Sequence, residues 1–259
     1  MVDIPVEDPR RGDASTSWIR RYQMRRAVKV PVRHLIRVPS AKLGRLMADL
    51  TSIRTDYARA GLHERDLDPS PMVQLDKWLQ EAIAAQHPEP TAMTLATASR
   101  DGEPAARVVL LKGLDDRGLT FFTRYESDKG RQLAENPRAC AVLFWVLLER
   151  QARVTGAISK VPREETEAYF RSRPRESQLG AWASAQSTVI AGREELLARL
   201  DEVRARFGDG DVPCPPVWGG YRLVPDQLEL WQGRPSRLHD RLRYTRKGEN
   251  AWSVERLSP

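Results

Sequence analysis

The chain has 259 residues, 41% of them hydrophobic, which is enough for one large domain or two small ones with a real core. Its two cysteines, Cys140 and Cys214, exclude a disulfide framework and predict a reducing compartment. No apolar run has membrane-spanning length, and no apolar stretch of a secretion signal is visible. We therefore expect a cytoplasmic protein without a membrane partner.

The net charge of +7 comes from residues 1–46, which hold eleven Lys and Arg against four Asp and Glu. We treat 1–46 as a basic N-terminal extension and 47–259 as a single domain. Three interpretations of the extension stay open: a disordered tail, residues upstream of a true start at Met47, or an arm that binds nucleic acid or an anionic surface. No folded nucleic-acid-binding motif is recognisable, so we do not expect nucleic acid as a partner.

Hydrophobic periodicity predicts two helices in the first part of the domain. The first covers Ala48–Ala60 and is closed by Gly61, and the second covers Met72–Gln86 with Trp78 in the core. Alternating and apolar runs separated by turn residues then predict strands at Ala92–Ala98, Ala105–Lys112, Leu119–Thr123, Ala139–Leu148 and Arg150–Lys160.

Three further helices and three strands complete the pattern. The helices follow Ser127 as N-cap, run from Pro162 to about Arg171, and run from Glu194 to Phe207. The strands are a hairpin of Trp218–Val224 and Gln227–Trp231, and a last strand, Ala251–Leu257. Many short strands joined by tight turns predict a barrel or a sandwich.

The densest candidate site is the stretch from Trp231 to Arg241. If the chain is extended there, Arg237, His239 and Arg241 share one face, because their period is two. Arginine grips phosphate or carboxylate with a planar fork, and histidine between them is a candidate for proton handling. The simpler interpretation, a solvated basic strand end, stays open.

Other cations occur at strand ends and helix starts. Arg107 and Lys112 bracket an apolar strand, and Lys129 begins the helix after Ser127, where backbone N–H groups favour phosphate. Arg173 and Arg175 form a second group, near Tyr169 and Ser177. Two cationic groups suggest two phosphorylated ligands, although ordinary surface charge explains each group alone. The spacing of cysteines and histidines predicts no metal site, so redox chemistry would need an organic cofactor.

Ordered runs between Arg54 and Pro259 carry a family resemblance. They are Arg107–Lys112, Phe121–Thr123, Glu149–Gln151, Tyr169–Ser177, Gly180–Trp182, Gln186–Ser187, Trp218–Tyr221, Trp231–Gly233 and Arg237–Arg241. In these runs the chain closely resembles the pyridoxamine 5′-phosphate oxidase family. The resemblance implies a mainly β (α+β) fold, an FMN-binding split β-barrel with flanking helices, and a homodimer with FMN at the subunit interface.

The resemblance also implies an activity and its residues. The reaction is oxidation of pyridoxamine or pyridoxine 5′-phosphate by O2 to pyridoxal 5′-phosphate, with release of H2O2. The implied FMN ligands are Arg107, Val108, Val109, Leu110, Leu111, Lys112, Phe122, Thr123, Lys129, Gln151, Gln186, Ser187, Trp231 and Arg241. The implied substrate ligands are Arg54, Tyr57, Lys112, Tyr169, Arg173, Ser177, Arg237 and His239, of which Arg237 and His239 are also the implied catalytic pair.

Two features depart from the resemblance. Many members carry arginine where this chain has Asp128, and an acid there would repel the FMN phosphate unless it points to solvent or pairs with a base such as Arg131. The resemblance also gives residues 1–46 no role in turnover.

Two other functions stay open from the sequence. A flavin-binding barrel reductase for another substrate would be expected to lack the Arg173 and Arg237 segments. A pyridoxal phosphate carrier or flavin-binding regulatory protein would bind ligand without consuming oxygen.

Overall fold

The structure, a computed structural model, describes residues 56–259. Its nine strands are β1 Ala92–Ala98, β2 Pro104–Leu110, β3 Gly113–Asp115, β4 Gly118–Arg124, β5 Arg138–Trp145, β6 Arg150–Lys160, β7 Trp218–Gln232, β8 Asp240–Arg246 and β9 Trp252–Arg256. Its α-helices are α1 Pro71–Ala84, α2 Asp128–Glu135, α3 Arg163–Ser172, α4 Arg175–Ala183 and α5 Arg193–Phe207. The expectation of a mainly β fold with flanking helices is confirmed.

The nine strands form one sheet in which every pair is antiparallel. The order is β2-β1-β5-β6-β7-β4-β3, and β8 pairs with β7 and with β9. β6 pairs with β7 along its whole length. β2 therefore lies at one edge of the sheet, so half of its backbone amides and carbonyls face away from the neighbouring strand.

The prediction of a hairpin at Trp218–Val224 and Gln227–Trp231 is wrong. The two segments form the single strand β7, whose first part pairs with β4 and whose second part pairs with β8. Pro225 and Asp226, which suggest a turn in the sequence, lie instead beside a register shift in β6 between Thr155 and Gly156. A bulge absorbs the irregularity that proline introduces, so the strand continues.

The helix predicted at Ala48–Ala60 is also wrong where the structure describes it, because Asp56–Ala60 has no helical residues. Its first part lies outside the described residues. Tertiary contacts hold this segment: the Arg59 backbone N–H donates to the Glu149 carboxylate at 3.1 Å, and Leu62 N–H donates to Asp240 at 3.1 Å. The other predicted helices and strands are present within a few residues, whereas β3, β8 and α4 were missed.

Two apolar cores form beneath the sheet and beside it. The larger is built from inward residues of the strands together with α1, and its Trp78 packs against Trp145 with ring centroids 6.4 Å apart. The smaller contains Phe170, Leu179 and Trp218, beneath α3, α4 and α5. No helix among residues 56–259 is long and apolar enough to cross a membrane.

The β6–β7 bulge depends on Gly156. Gly156 pairs with Pro225, and an added Cβ would overlap the carbonyl oxygen of Val224. We expect Gly156→Ala to lower the free energy of unfolding by about 2–4 kcal/mol, measured by urea denaturation.

The matched control is Gly180→Ala, because the added methyl in α4 meets no atom within 4 Å. Alanine in a helix is about 0.5–1 kcal/mol more favourable than glycine, so this variant should equal or exceed the wild type in stability. Equal urea midpoints for the two variants would contradict the role of Gly156.

Candidate active site

A cavity of about 600 Å³ lies between β2, β4, the start of α2 and helix α3. It is lined by Arg107, Val108, Val109, Leu110, Lys112, Phe122, Thr123, Asp128, Lys129, Tyr169, Arg173, Gln186, Ser187 and Trp218. Most of the residues implied for FMN and three of those implied for the substrate, Lys112, Tyr169 and Arg173, thus meet in one place. Four of the lining residues are cationic and one is acidic, so the cavity suits an anionic ligand.

One end of the cavity is built on the N-terminus of α2. The Ser127 hydroxyl caps the helix by accepting from Gly130 N–H at 3.3 Å. Lys129 is 7% exposed, and its ammonium donates to the Thr123 hydroxyl at 3.3 Å. Burial lowers the pKa of Lys129, and the charge of Arg107 lowers it further. An incoming anion would relieve both costs.

Arg107 reaches the same end from β2. Its guanidinium donates to the Thr97 hydroxyl at 2.5 Å and to the Gln132 side-chain carbonyl at 3.1 Å. Burial lowers the pKa of Arg107, and Asp128 opposes this shift. Among residues 56–259, all hydrogen-bond acceptors of Arg107 are neutral, so none of them neutralises the charge that Arg107 offers a ligand.

Asp128 pairs with Arg131, one helical turn away. Both side chains are more than half exposed, and the Asp128 backbone N–H donates to the Ser187 hydroxyl at 3.2 Å. From the sequence, an acid at this position is expected to repel the FMN phosphate unless it points to solvent or pairs with a base, and Asp128 does both. Arg131 therefore offsets part of the charge that Asp128 places at the cavity.

The other end of the cavity is aromatic. Tyr169 stacks on Phe122 with ring centroids 4.0 Å apart, and Phe122 stacks on Trp218 at 5.4 Å. The Arg173 guanidinium lies 4.7 Å above the Trp218 ring centroid. Burial lowers the pKa of Arg173, and its Nη1 atom is buried without a hydrogen-bond partner among residues 56–259. A buried unpaired donor is costly, so this atom marks a place for a ligand acceptor.

Gln151, Trp231 and Arg241 do not line the cavity. Strand register aligns them in one row across β6, β7 and β8, beside Phe144 of β5. Cross-strand partners point to the same face, and on this face Phe144 is 48% exposed. Arg241 donates to the nearly buried Glu229 carboxylate at 3.0 Å and to the Ser258 carbonyl at 2.8 Å.

The segment with Arg237 and His239 also lies away from the cavity. The expectation of an extended chain is wrong for Arg237, because Pro235–Arg237 forms a 3-10 turn in which Arg237 has φ +60°. Pro235 favours a turn at this point, and Arg237 is exposed. The His239 ring packs 4.7 Å from Trp231 and 5.9 Å from Tyr57, centroid to centroid.

His239 has a defined hydrogen-bond role. Its Nδ1 accepts from the Arg234 backbone N–H at 3.1 Å. A backbone N–H can only donate, so Nδ1 carries no proton and the neutral ring carries its proton on Nε2. His239 thus presents a donor, not a base, at Nε2.

Other expected residues lie as follows. Leu111 is buried in the core, and Ser177 lines an adjoining pocket that shares Arg173 and Trp218 with the cavity. Arg175 does not join Arg173, since its guanidinium donates to the carbonyls of Gly208 and Gly210. Arg54 lies outside the described residues. Trp218 received no role from the sequence, although Phe, Tyr or Trp occurs in five of the matched runs.

Comparisons with known proteins identify the family of the chain. A model of the family "Pyridoxamine 5′-phosphate oxidase" matches residues 79–207, and a model of the "Pyridoxine 5′-phosphate oxidase C-terminal dimerisation region" matches 218–259. A pyridoxine/pyridoxamine 5′-phosphate oxidase of Burkholderia thailandensis is 55% identical over 215 residues, 82% of this chain and 100% of the relative. The chain belongs to this family.

Two solved structures resemble the chain. PhzG from Burkholderia lata, in complex with tetrahydrophenazine-1-carboxylic acid, has a TM-score of 0.73 at 35% identity and covers 78% of this chain and 99% of its own. A pyridoxamine 5′-phosphate oxidase-related, FMN-binding protein of Nostoc punctiforme has a TM-score of 0.60 at 18% identity, covers 75% and 99%, and shows the fold alone.

The family assignment confirms the resemblance and the split-barrel fold. It makes the chain an oxidoreductase from a family of flavoproteins that act on small molecules, and the C-terminal match supports a homodimer. No group of three or more potential metal ligands lies together within the described part of the chain.

Proposed function

We propose that the protein uses FMN to oxidise pyridoxine and pyridoxamine 5′-phosphates to pyridoxal 5′-phosphate. Pyridoxine phosphate and O2 give pyridoxal phosphate and H2O2; pyridoxamine phosphate requires one water in addition and releases ammonia. The main support is a single cavity with cations at both ends, Lys129 with Arg107 at one and Arg173 at the other. The cofactor and the substrate each carry a phosphate, so they need two separate groups of cationic residues.

The residues present fit FMN at the α2 end. Lys129, Arg107 and the helix N-terminus offer donors to a phosphate, and Thr123 and Gln186 continue the polar wall. The edge of β2 offers backbone amides and carbonyls to a flat polar ring system. FMN, when bound, supplies the two-electron acceptor for the hydride at the substrate's C4′ carbon.

The substrate phosphate belongs at the aromatic end. The Nη1 of Arg173, which has no hydrogen-bond partner within the described part of the chain, is a charge-assisted donor, and Tyr169 and Lys112 line the same cavity. A phosphate bound there holds one end of the small pyridine substrate, so the ring binds in a defined orientation. Ser177 of the adjoining pocket is a fourth candidate ligand.

A second subunit is proposed to complete the cavity. The row Gln151, Trp231 and Arg241 lies on a sheet face that also exposes Phe144, and Val108 at the cavity is 66% exposed. Burying such apolar residues drives dimer formation. The row of one subunit, with Arg237 and His239 beside it, would then close the cavity of the other over the substrate and exclude water.

A second candidate function comes from the likeness to PhzG, whose crystal structure holds a tricyclic carboxylic acid. A cationic cavity also suits a carboxylate. The higher identity to the curated oxidases, 55% against 35%, favours the phosphate ester.

The proposal is tested by oxygen consumption of the purified, FMN-supplemented protein with each phosphate ester, with pyridoxal phosphate followed by absorbance and H2O2 assayed. We expect turnover with at least one ester, and a loss of about 100-fold in kcat/KM for Arg173→Leu, because the phosphate loses a charged donor. A flavin-loaded protein that oxidises tetrahydrophenazine-1-carboxylic acid but neither ester would replace this proposal with the second function.

Asp128 provides a test of the FMN site. We expect Asp128→Arg to tighten FMN binding by about tenfold, because a cation replaces the one acid at the cavity. Arg131→Ala should weaken binding by about threefold, since it leaves Asp128 unpaired. Flavin fluorescence titration of apoprotein gives both values.

Asp128→Asn combined with Arg131→Ala is the control for this pair. Removing both charges should restore affinity to near the wild-type value. An unchanged or weaker affinity for Asp128→Arg would refute the repulsion.

His239 is expected to act as a hydrogen-bond donor. Glutamine can place an amide N–H near the position of Nε2, whereas asparagine matches Nδ1 and keeps only the bond to Arg234. We therefore expect kcat/KM within about threefold of wild type for His239→Gln and lower by about tenfold for His239→Asn. The reverse order would indicate that the donor at Nε2 is not what matters.

A further inference from the structure

Trp218, the first residue of β7, contacts every element that shapes the aromatic end of the cavity. Its ring stacks on Phe122 of β4, lies parallel to Tyr169 at 6.2 Å, and meets Phe170 edge-on at 5.1 Å between centroids. Its fourth neighbour is the guanidinium of Arg173, which begins the connection from α3 to α4. Trp218 is thus the common support of Tyr169 and Arg173.

The two glycines after Trp218, Gly219 and Gly220, leave room for the aromatic rings beside them. A Cβ on Gly220 would lie 2.9 Å from the Phe122 ring and from Val161, and a Cβ on Gly219 would overlap the Tyr125 ring. A side chain at Gly220 would push β4 and β7 apart or turn Phe122 out of the stack, and one at Gly219 would displace Tyr125. The Trp-Gly-Gly sequence therefore has a physical reason in the close approach of these strands.

Arg173 is held by aromatic rings and not by a carboxylate. Among residues 56–259 its guanidinium makes no ion pair or hydrogen bond, and the Trp218 and Phe170 rings lie 4.7 and 5.5 Å from its central carbon. Arg222, by comparison, is nearly buried against the Glu165 carboxylate at 3.1 Å. An aromatic face attracts a cation without neutralising it, whereas a carboxylate would compete with an arriving phosphate.

We propose that Trp218 is a positioning residue for binding of the substrate phosphate: its ring orients Arg173 so that Nη1 can donate to that phosphate. The inference rests on the proposed function, which it deepens. It assigns specificity for the phosphate ester over the free alcohol to a residue that itself offers the phosphate no charge.

The test separates the phosphate from the rest of the ligand. The FMN-loaded protein is titrated with 4-deoxypyridoxine 5′-phosphate and with 4-deoxypyridoxine, which lack the reacting hydroxyl, and the ratio of the two dissociation constants is measured. Trp218→Leu should reduce this preference for the phosphorylated compound by about tenfold, because the guanidinium loses its support. Trp218→Phe keeps a ring face and should stay within about threefold of wild type.

The chain offers a matched control in Trp182→Leu. Trp182 packs in the same small core and carries Arg206 at 4.9 Å, but it does not line the cavity. Loss of packing alone would weaken both ligands in either variant and leave the ratio unchanged. Thermal midpoints and bound FMN are recorded, and Trp218→Met replaces the leucine variant if that variant does not fold.

The outcomes distinguish this inference from the proposed function. Wild-type protein that prefers the phosphorylated analogue but oxidises neither ester refutes the proposed function and keeps phosphate binding at Arg173. Protein that oxidises the esters, but whose Trp218→Leu ratio changes no more than that of Trp182→Leu, refutes the inference. A ratio that falls equally in the phenylalanine and leucine variants also overturns the role of the ring face.

Discussion

The continuity of strand β7 is the constraint on which the rest of this structure depends. β7 pairs with the whole of β6 from Tyr221 onward, with β4 through its first part and with β8 through its second. Its first residue, Trp218, supports the aromatic end of the cavity, and Trp231 near its end lies in the row with Gln151 and Arg241. One rigid element thus fixes the distance between the cavity and the surface proposed to close a partner's cavity.

The cationic side chains in the cavity have different partners from those on the surface. Most surface arginines have carboxylate partners, such as Arg256 with Glu64 and Asp240, and Arg204 with Glu176. In the cavity, Arg107 and Lys129 donate to neutral side chains, and Arg173 lies on an aromatic ring. Neutral supports hold cations in place at a desolvation cost, and a bound anion recovers that cost. Asp128 is an acidic residue in the lining of this cationic cavity, and its ion pair with Arg131 offsets part of its negative charge.

Much of this architecture was predictable from local sequence. Ser127 caps α2 as expected, and the alternating run Arg150–Lys160 is β6. Turn residues at Arg100–Gly102 mark the β1–β2 hairpin, where Gly102 has φ +82°. The predictions that fail do so where distant residues decide. Pro225 and Asp226 suggest a turn, but β7 continues through a bulge in its pairing with β6, and Asp56–Ala60 is held by Glu149 from another part of the chain.

The sequence by itself determined the family, most of the strands and helices, and the presence of two cationic groups, because these follow from ordered motifs, periodicity and turn chemistry. Only the tertiary structure decided which cations share a cavity: Arg173 enters it, whereas Arg175, two positions along, binds carbonyls at the end of α5. It also decided that His239 presents a donor and that Gln151, Trp231 and Arg241 form a separate row. Side-chain direction and strand register arise from packing between distant segments, which no local pattern encodes.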